Sequence, residues 1–80
     1  KMIKLFGKES CHKTKYYKKF LEMRNLNYAF LDVENNKENE RELRNWYKNR
    51  KLNFPTITVH DKKLRNPTEK DLQKWIDKLL

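Results

Sequence analysis

The feature that most constrains the fold is a strand–helix–strand pattern near the start of the chain. Residues 2–6 form a short apolar-rich stretch bounded by Gly7, which is typical of a strand. Residues 11–24 change to a helical period, and residues 28–33 predict a second, buried strand. Strand, helix and strand in this order and length predict a βαβ unit with parallel strands and a right-handed crossover.

The remaining sequence predicts two more helices and a hairpin. After a loop at 34–36, a charged stretch predicts a helix over 37–49 with a thin apolar face, and 50–53 form its exit loop. The other predicted elements are a strand at 54–59 with its proline at the start, a turn at 60–63, a short strand at 63–65 and a helix from Thr68, which opens a capping-box pattern, to the C-terminus. The order βαβαββα predicts an α/β fold with a four-stranded mixed sheet flanked by three helices. Trp46 and Trp75 are interpreted as packing residues.

Composition limits how such a chain is stabilised. Eighty residues predict one domain, 1–80, with a modest core. One cysteine cannot form an internal disulfide, and His12 and His60 lack the spacing of a zinc site, so no metal is expected. The core must therefore come from apolar packing, to which ten aromatic residues contribute.

Charge and hydropathy limit the kinds of partner that the chain is expected to have. No apolar run approaches the roughly 20 residues of a membrane span, and no export signal is recognised. A single unpaired thiol then favours the reducing cytoplasm. The net charge of +9 raises nucleic acid as a partner, but the lysines are spread through every segment rather than gathered in one stripe, which does not favour specific nucleic-acid binding.

The chemistry is predicted to lie at Cys11, where the first strand gives way to the first helix. Ser10 is the predicted N-cap. A thiolate at a helix N-terminus is stabilised by the helix dipole and by free N–H groups. Lys8 and Lys13 add positive charge on both sides. These features predict a lowered Cys11 pKa and a nucleophilic thiol.

With these elements in place, the chain resembles the glutaredoxin branch of the thioredoxin-fold proteins over nearly its whole length. The resemblance rests on the βαβαββα order, the loop ending in Cys11, and Phe54-Pro55-Thr56 opening the third strand. Lys8 matches a lysine often found three residues before the family's cysteine. The resemblance implies a thioredoxin-like fold, a single glutaredoxin-like domain and a cis Pro55 facing the active cysteine.

The sequence departs from the family's patterns at several positions. Dithiol members carry Cys-Pro-Tyr-Cys or a similar Cys-x-x-Cys, whereas residues 11–14 read Cys-His-Lys-Thr, with Thr14 in the place of the second cysteine. Monothiol members that bind iron–sulfur clusters carry Cys-Gly-Phe-Ser. The Gly-Gly pair before the last helix is missing, and Thr68 falls about where the family has an aspartate that holds the glutathione amino end.

One thiol predicts monothiol exchange, because no second thiol in the chain can resolve a mixed disulfide. The resemblance implies glutathione as the external thiol, no bound cofactor, and glutathionylated or disulfide-containing proteins as partners of a monomeric chain. Thr14 either donates its hydroxyl to the thiolate or bonds its own helix backbone. The predicted substrate-binding residues are Lys8, which would hold a glutathione carboxylate, Phe54, which would offer its backbone, Pro55, which would fix that backbone, and His12, Lys13 and Thr68.

Three other functions stay open from the sequence. A redox-inactive thioredoxin-fold module that binds a protein or nucleic acid would explain the missing second cysteine. An arsenate-reductase-like protein shares the strand–Cys–helix opening, but such proteins are longer than this chain. An iron–sulfur dimer would take one thiolate from each chain.

Overall fold

The computed structural model describes residues 2–47 and 52–80. Within these residues the elements follow the predicted order: β1 (Ile3–Gly7), α1 (His12–Met23), β2 (Tyr28–Asp32), α2 (Lys37–Arg44), β3 (Thr56–Val59), β4 (Lys62–Arg65) and α3 (Glu69–Leu79). None of these helices is long and apolar enough to cross a membrane.

The strands form one mixed sheet in the order β2-β1-β3-β4. β1 pairs in parallel with β2, from Ile3 opposite Tyr28 to Gly7 opposite Asp32. β3 is antiparallel to both β1 and β4. The predicted parallel βαβ unit and C-terminal hairpin are therefore confirmed, and β1 occupies an inner position that carries its end toward the start of β3.

Alternation along the strands divides the apolar side chains between two faces of the sheet. One face, with α1 and α3, holds the larger cluster, which includes Leu5, Phe20, Ile57 and Leu72. The other face holds a smaller cluster of Phe6, Val33, Leu43 and Tyr47 beside α2. The two clusters thus differ in size, because α2 contributes only one buried side chain, Leu43.

The predicted helix over 37–49 is wrong at its C-terminal end, since α2 stops at Arg44. Trp46 leaves the helix and packs edge-on against Phe6, with ring centres 4.8 Å apart. Tyr47 is buried in the smaller cluster, and its hydroxyl is satisfied there by a hydrogen bond with the Thr56 hydroxyl at 2.6 Å. Residues 48–51, which include the end of that helix and part of the predicted exit loop, lie outside the described residues.

Two strand predictions also need correction. β2 was expected to be buried, but all its residues are half-buried because it lies at the edge of the sheet. β3 begins at Thr56 rather than at residue 54, since Pro55 has no N–H to give to a ladder. The hairpin turn is shorter than expected, because β4 begins at Lys62.

Candidate active site

Cys11 lies in the loop that carries the chain from β1 to α1. It is the N-cap of α1, with extended backbone angles (φ −89°, ψ 123°), and its carbonyl accepts the Lys15 N–H at 3.1 Å. Its own N–H donates to the Lys8 carbonyl at 3.0 Å, which closes a turn over residues 8–11. The predicted N-cap at Ser10 is therefore wrong by one residue, and the thiol itself stands at the helix N-terminus, half-exposed.

Thr14 lies one turn into α1 and is fully buried. Its hydroxyl accepts the Lys8 N–H at 3.4 Å, so it ties the helix back to the loop. Gly7 faces it so closely that a Cβ at Gly7 would lie 2.6 Å from Thr14 Cγ2. Because φ at Gly7 is not positive, glycine is required here by this close approach rather than by backbone conformation.

The surroundings of the thiol favour its ionised form. Partial burial raises the Cys11 pKa, but hydrogen bonds from the Thr14 hydroxyl and from the backbone of Thr14 and Lys13 lower it, and so does the charge of Lys8. The lowering effects prevail, so the pKa of Cys11 lies below its ordinary value. The predicted lowering of the Cys11 pKa is confirmed. Of the two roles that the sequence allows for Thr14, the structure shows the hydrogen bond from its hydroxyl to the sulfur.

The residues that precede β3, Phe54 and Pro55, form a loop that we call the proline loop. It lies at the same end of the sheet as the end of β1. The Phe54–Pro55 peptide bond is cis, as predicted. Lys8 Nζ lies 5.0 Å from the centre of the Phe54 ring, which joins the cysteine loop to the proline loop. The Pro55 carbonyl accepts the N–H of Asn66 at 2.8 Å.

Asn66 links α1 to the end of β4. Its side-chain carbonyl accepts a hydrogen bond from Lys13 Nζ at 2.6 Å, and its φ of 46° lies in the left-handed region. Asparagine tolerates that region better than most residues. Next to it, the buried Tyr17 hydroxyl donates to the Pro67 carbonyl at 2.6 Å. The segment after β4 is therefore fixed to the helix that carries the thiol.

These features lie almost entirely within the part of the chain that matches a known family. The Glutaredoxin family model matches residues 3–64, which include β1, Cys11, the proline loop and most of β4. The chain belongs to the glutaredoxin family. Membership supports a thiol–disulfide oxidoreductase-like function, and Cys11 is the only thiol that this glutaredoxin-family chain offers for it.

Solved structures agree with the fold of this glutaredoxin-family chain. A mutant of the thioredoxin-like protein BC3987 is 20% identical, with a TM-score of 0.82 and 94% of each chain covered. The glutaredoxin of Archaeoglobus fulgidus is 16% identical, with a TM-score of 0.76, over 92% of this chain and 84% of that one. A buckwheat glutaredoxin–glutathione complex is 17% identical, with a TM-score of 0.72, over 98% and 74%. A comparison with curated proteins returned no match.

The other predicted site residues are His12, Lys13 and Thr68. His12 is the first residue of α1 and is exposed. Thr68 caps α3, since its hydroxyl accepts the Asp71 N–H at 3.1 Å. Substrate binding by His12, Lys13 and Thr68 stays a prediction. Among the described residues, no group of three or more His, Cys, Asp or Glu side chains could hold a metal ion.

Sequence reasoning missed two residues that shape the site, Gly7 and Asn66. The sequence signal for Gly7 was its being the only glycine, at a strand end. The signal for Asn66 was the Asn-Pro pair, which favours a turn.

Proposed function

We propose that this chain is a glutathione-dependent thiol–disulfide oxidoreductase that works by monothiol exchange at Cys11. The observation that carries the proposal is the half-exposed Cys11 thiol at the start of α1, with a hydrogen bond from Thr14 that favours its thiolate. Thr14 is fully buried in the position where dithiol relatives keep a second sulfur. The second thiol must then come from solution.

In the first step, the Cys11 thiolate attacks the glutathionyl sulfur of a protein–glutathione mixed disulfide. A new sulfur–sulfur bond joins Cys11 to glutathione, the old one breaks, and the protein leaves as a thiolate that takes a proton from water. Lys8 and the N–H groups at the start of α1 stabilise the attacking anion.

In the second step, the thiolate of free glutathione attacks the glutathionyl sulfur on Cys11. Glutathione disulfide is released and Cys11 returns as a thiolate. The same hydrogen bond from Thr14 that stabilises the nucleophile also stabilises this leaving group. Because the low-pKa thiolate leaves readily, the mixed disulfide is an intermediate and not an end point.

The site has the groups that a small peptide with two carboxylates requires. Lys8 and Lys13 flank Cys11, and neither forms an ion pair with a carboxylate among the described residues. We assign the glutathione carboxylates to these two lysines and the peptide backbone of glutathione to Phe54, held by Pro55. A buckwheat glutaredoxin of similar fold was solved as a complex with glutathione, which supports this assignment. The mechanism needs abundant reduced glutathione, as in the cytoplasm, and a single chain suffices.

A coupled assay tests the proposal. A glutathionylated peptide is mixed with the protein, reduced glutathione, glutathione reductase and NADPH, and NADPH consumption is followed. We expect turnover that Cys11→Ser abolishes. A folded parent protein with no more turnover than Cys11→Ser would refute the proposal.

The second candidate is a redox-inactive binding module, favoured by the absence of a resolving cysteine. The Cys11 pKa separates the two functions, because a module has no need of a thiolate. Titration of the thiolate absorbance should give a pKa below that of a free thiol. A normal or raised value, together with no turnover, would favour the binding module.

A further inference from the structure

β4 is an edge strand whose outer backbone groups have no partner among the described residues. It pairs only with β3, in a sheet that ends there. Because His60 N–H donates to the Met2 carbonyl, the residues of β3 that bond to β1 are the even-numbered ones, and Ile57 and Val59 turn toward β4. Antiparallel bonding alternates, so Lys62 and Leu64 face β3. The N–H and C=O groups of Lys63 and Arg65 therefore point outward.

Cationic side chains stand on both sides of this edge. Lys63 and Arg65 project to the face of α2, where Lys63 Nζ lies 5.2 Å from the Trp46 ring centre and the Arg65 guanidinium lies 4.3 Å from that of Tyr47. On the opposite face, Lys62 Nζ lies 4.4 Å from the Trp75 ring centre. All three cations are exposed.

A cavity of about 430 Å³ runs beside these groups and is lined by all of them together with Leu64 and Pro67. Asp71 is the only acidic residue in its described lining. None of the cations of β4 forms an ion pair with a carboxylate in the part of the chain that the structure describes. Unpaired backbone groups, unpaired cations and apolar ring surface thus occur along one strand edge.

We propose that the β4 edge binds an acidic, extended segment of a partner protein as a fifth strand of the sheet. An added strand supplies both acceptors and donors for the backbone groups of Lys63 and Arg65. Its side chains alternate between the two faces, so carboxylates on one face reach Lys63 and Arg65 while apolar side chains on the other contact Leu64. This site uses no thiol, and it is independent of Cys11.

Single-stranded nucleic acid and a second copy of this chain fit these groups less well than an acidic strand. Single-stranded nucleic acid requires, besides cations for its phosphates, open aromatic rings on which its bases stack. Around Trp75, however, three ammonium groups, those of Lys62, Lys74 and Lys78, lie within 4.4–5.5 Å of the ring centre. Phosphate oxygens would also repel the outward carbonyls of Lys63 and Arg65. A second copy of this chain that paired through its own β4 would bring one cationic edge against another.

Fluorescence anisotropy with defined probes tests the site. The probe is a short labelled peptide of alternating glutamate and valine, and the protein is Cys11→Ser, which removes thiol exchange. We expect saturable binding that weakens with added salt, and no binding of a matched lysine–valine peptide. Preferential binding of labelled oligothymidylate would overturn the proposal in favour of nucleic acid.

Variants of the protein locate the binding. The double charge reversal Lys63→Glu with Arg65→Glu should weaken binding by at least about tenfold, as expected when close charge pairs are reversed. The matched control is Lys15→Glu with Lys19→Glu, which makes the same change of net charge on the exposed face of α1. Equal losses in the two double variants would show that only net charge matters and would refute the site.

Modified probes separate strand pairing from charge alone. Two further peptides carry N-methyl groups on alternate amides, one on the glutamates and one on the valines, so each keeps its charge and loses one row of donors. Only the row that faces β4 matters in an added strand. One of the two peptides should therefore bind at least about tenfold more weakly than the other. Equal affinity of both would exclude the fifth strand.

Discussion

At the scale of single residues, the site depends on a contact between a glycine and a threonine. Thr14 fills the space in front of Gly7, and its hydroxyl bonds the Lys8 N–H and lowers the pKa of the Cys11 thiol. One buried side chain thus sets the position of the loop and the ionisation of the thiol. Gly7 lies in a strand and Thr14 in a helix, so no periodic pattern in the sequence predicts their contact.

Gly7→Ala tests that contact. The added Cβ would lie 2.6 Å from Thr14 Cγ2 and closer still to its hydroxyl oxygen, so the strand or the helix must shift. We expect a loss of about 1–3 kcal/mol in the free energy of unfolding, as for other overpacked sites. Urea denaturation measures it. In a Thr14→Ala background the same change should cost far less, and an equal cost in both backgrounds would contradict the contact.

Thr14→Val tests the hydrogen bond to the sulfur. Valine keeps the shape of the side chain but cannot donate, so the Cys11 pKa should rise toward that of a free thiol. Thr14→Ser, which keeps the hydroxyl, is the matched control and should leave the pKa low. The thiolate absorbance of each variant is titrated against pH. A rise of the same size in both variants would mean that packing rather than the hydroxyl controls the thiol.

The lowered Cys11 pKa also links stability to pH. Between the folded pKa and the unfolded value of about 8.5, the unfolded chain holds more protons on this thiol, so the contribution of Cys11 to stability grows as pH rises through that window. It is lost as pH falls through the folded pKa. The difference in unfolding free energy between the parent and Cys11→Ser should therefore increase from acidic to alkaline pH. A difference that is constant or decreases with pH would contradict this.

At the scale of elements, the helices differ in how firmly they are held. α3 places Leu72 and Ile76 in the larger cluster, whereas α2 has eight residues and only Leu43 buried. Both begin at a side-chain cap, since Asn36 accepts the Glu38 and Asn39 N–H groups and Thr68 accepts that of Asp71.

Removal of the two caps should therefore affect stability in different ways. Thr68→Ala should lower the global free energy of unfolding by about 1 kcal/mol. Asn36→Ala should chiefly accelerate amide exchange within α2, because a short, thinly packed helix opens without the rest of the sheet. Hydrogen exchange by mass spectrometry, beside urea denaturation, measures both effects. Equal global losses without faster exchange in α2 would show that α2 unfolds only with the whole molecule.

Periodic elements were predictable from the sequence, and positions fixed by distant contacts were not. α1 and α3 carry regular apolar faces, so their extents were close to those predicted. The end of α2 was not predictable, since Trp46 continues the helical period but packs on Phe6, forty positions earlier in the chain. For the site, the strand end and the cis proline could be anticipated, but the bond from Lys13 to Asn66 depends on how the hairpin meets α1.

At the scale of the whole molecule, charge is high for the size. The chain carries a net +9, and its longest extent is 29 Å. The screening length at physiological salt is about 8 Å. Repulsion therefore acts on an approaching copy once the two surfaces come within about 8 Å of each other. Lys8 and Lys13 lie in sequence on either side of the half-exposed thiol, so the repulsion should apply to an approach toward Cys11.

That repulsion should control the covalent dimer that two Cys11 thiols can form. With diamide as the acceptor of the two electrons, the rate of disulfide-linked dimer formation should rise steeply with added salt. Non-reducing electrophoresis follows the dimer. The control is reaction of Cys11 with a neutral small disulfide, which salt should hardly accelerate. Equal salt dependence of both reactions would remove repulsion between copies as the cause.

The single thiol next to Lys8 and Lys13 thus gives the chain a chemical selectivity that follows from charge sign alone. We expect anionic thiols and disulfides to be attracted to Cys11 and another copy of the same protein to be repelled. Because the chain has no second thiol to form an internal disulfide with Cys11, we expect charge repulsion to slow crosslinking between copies. Low ionic strength is accordingly the condition under which a concentrated stock of it should keep its thiol longest.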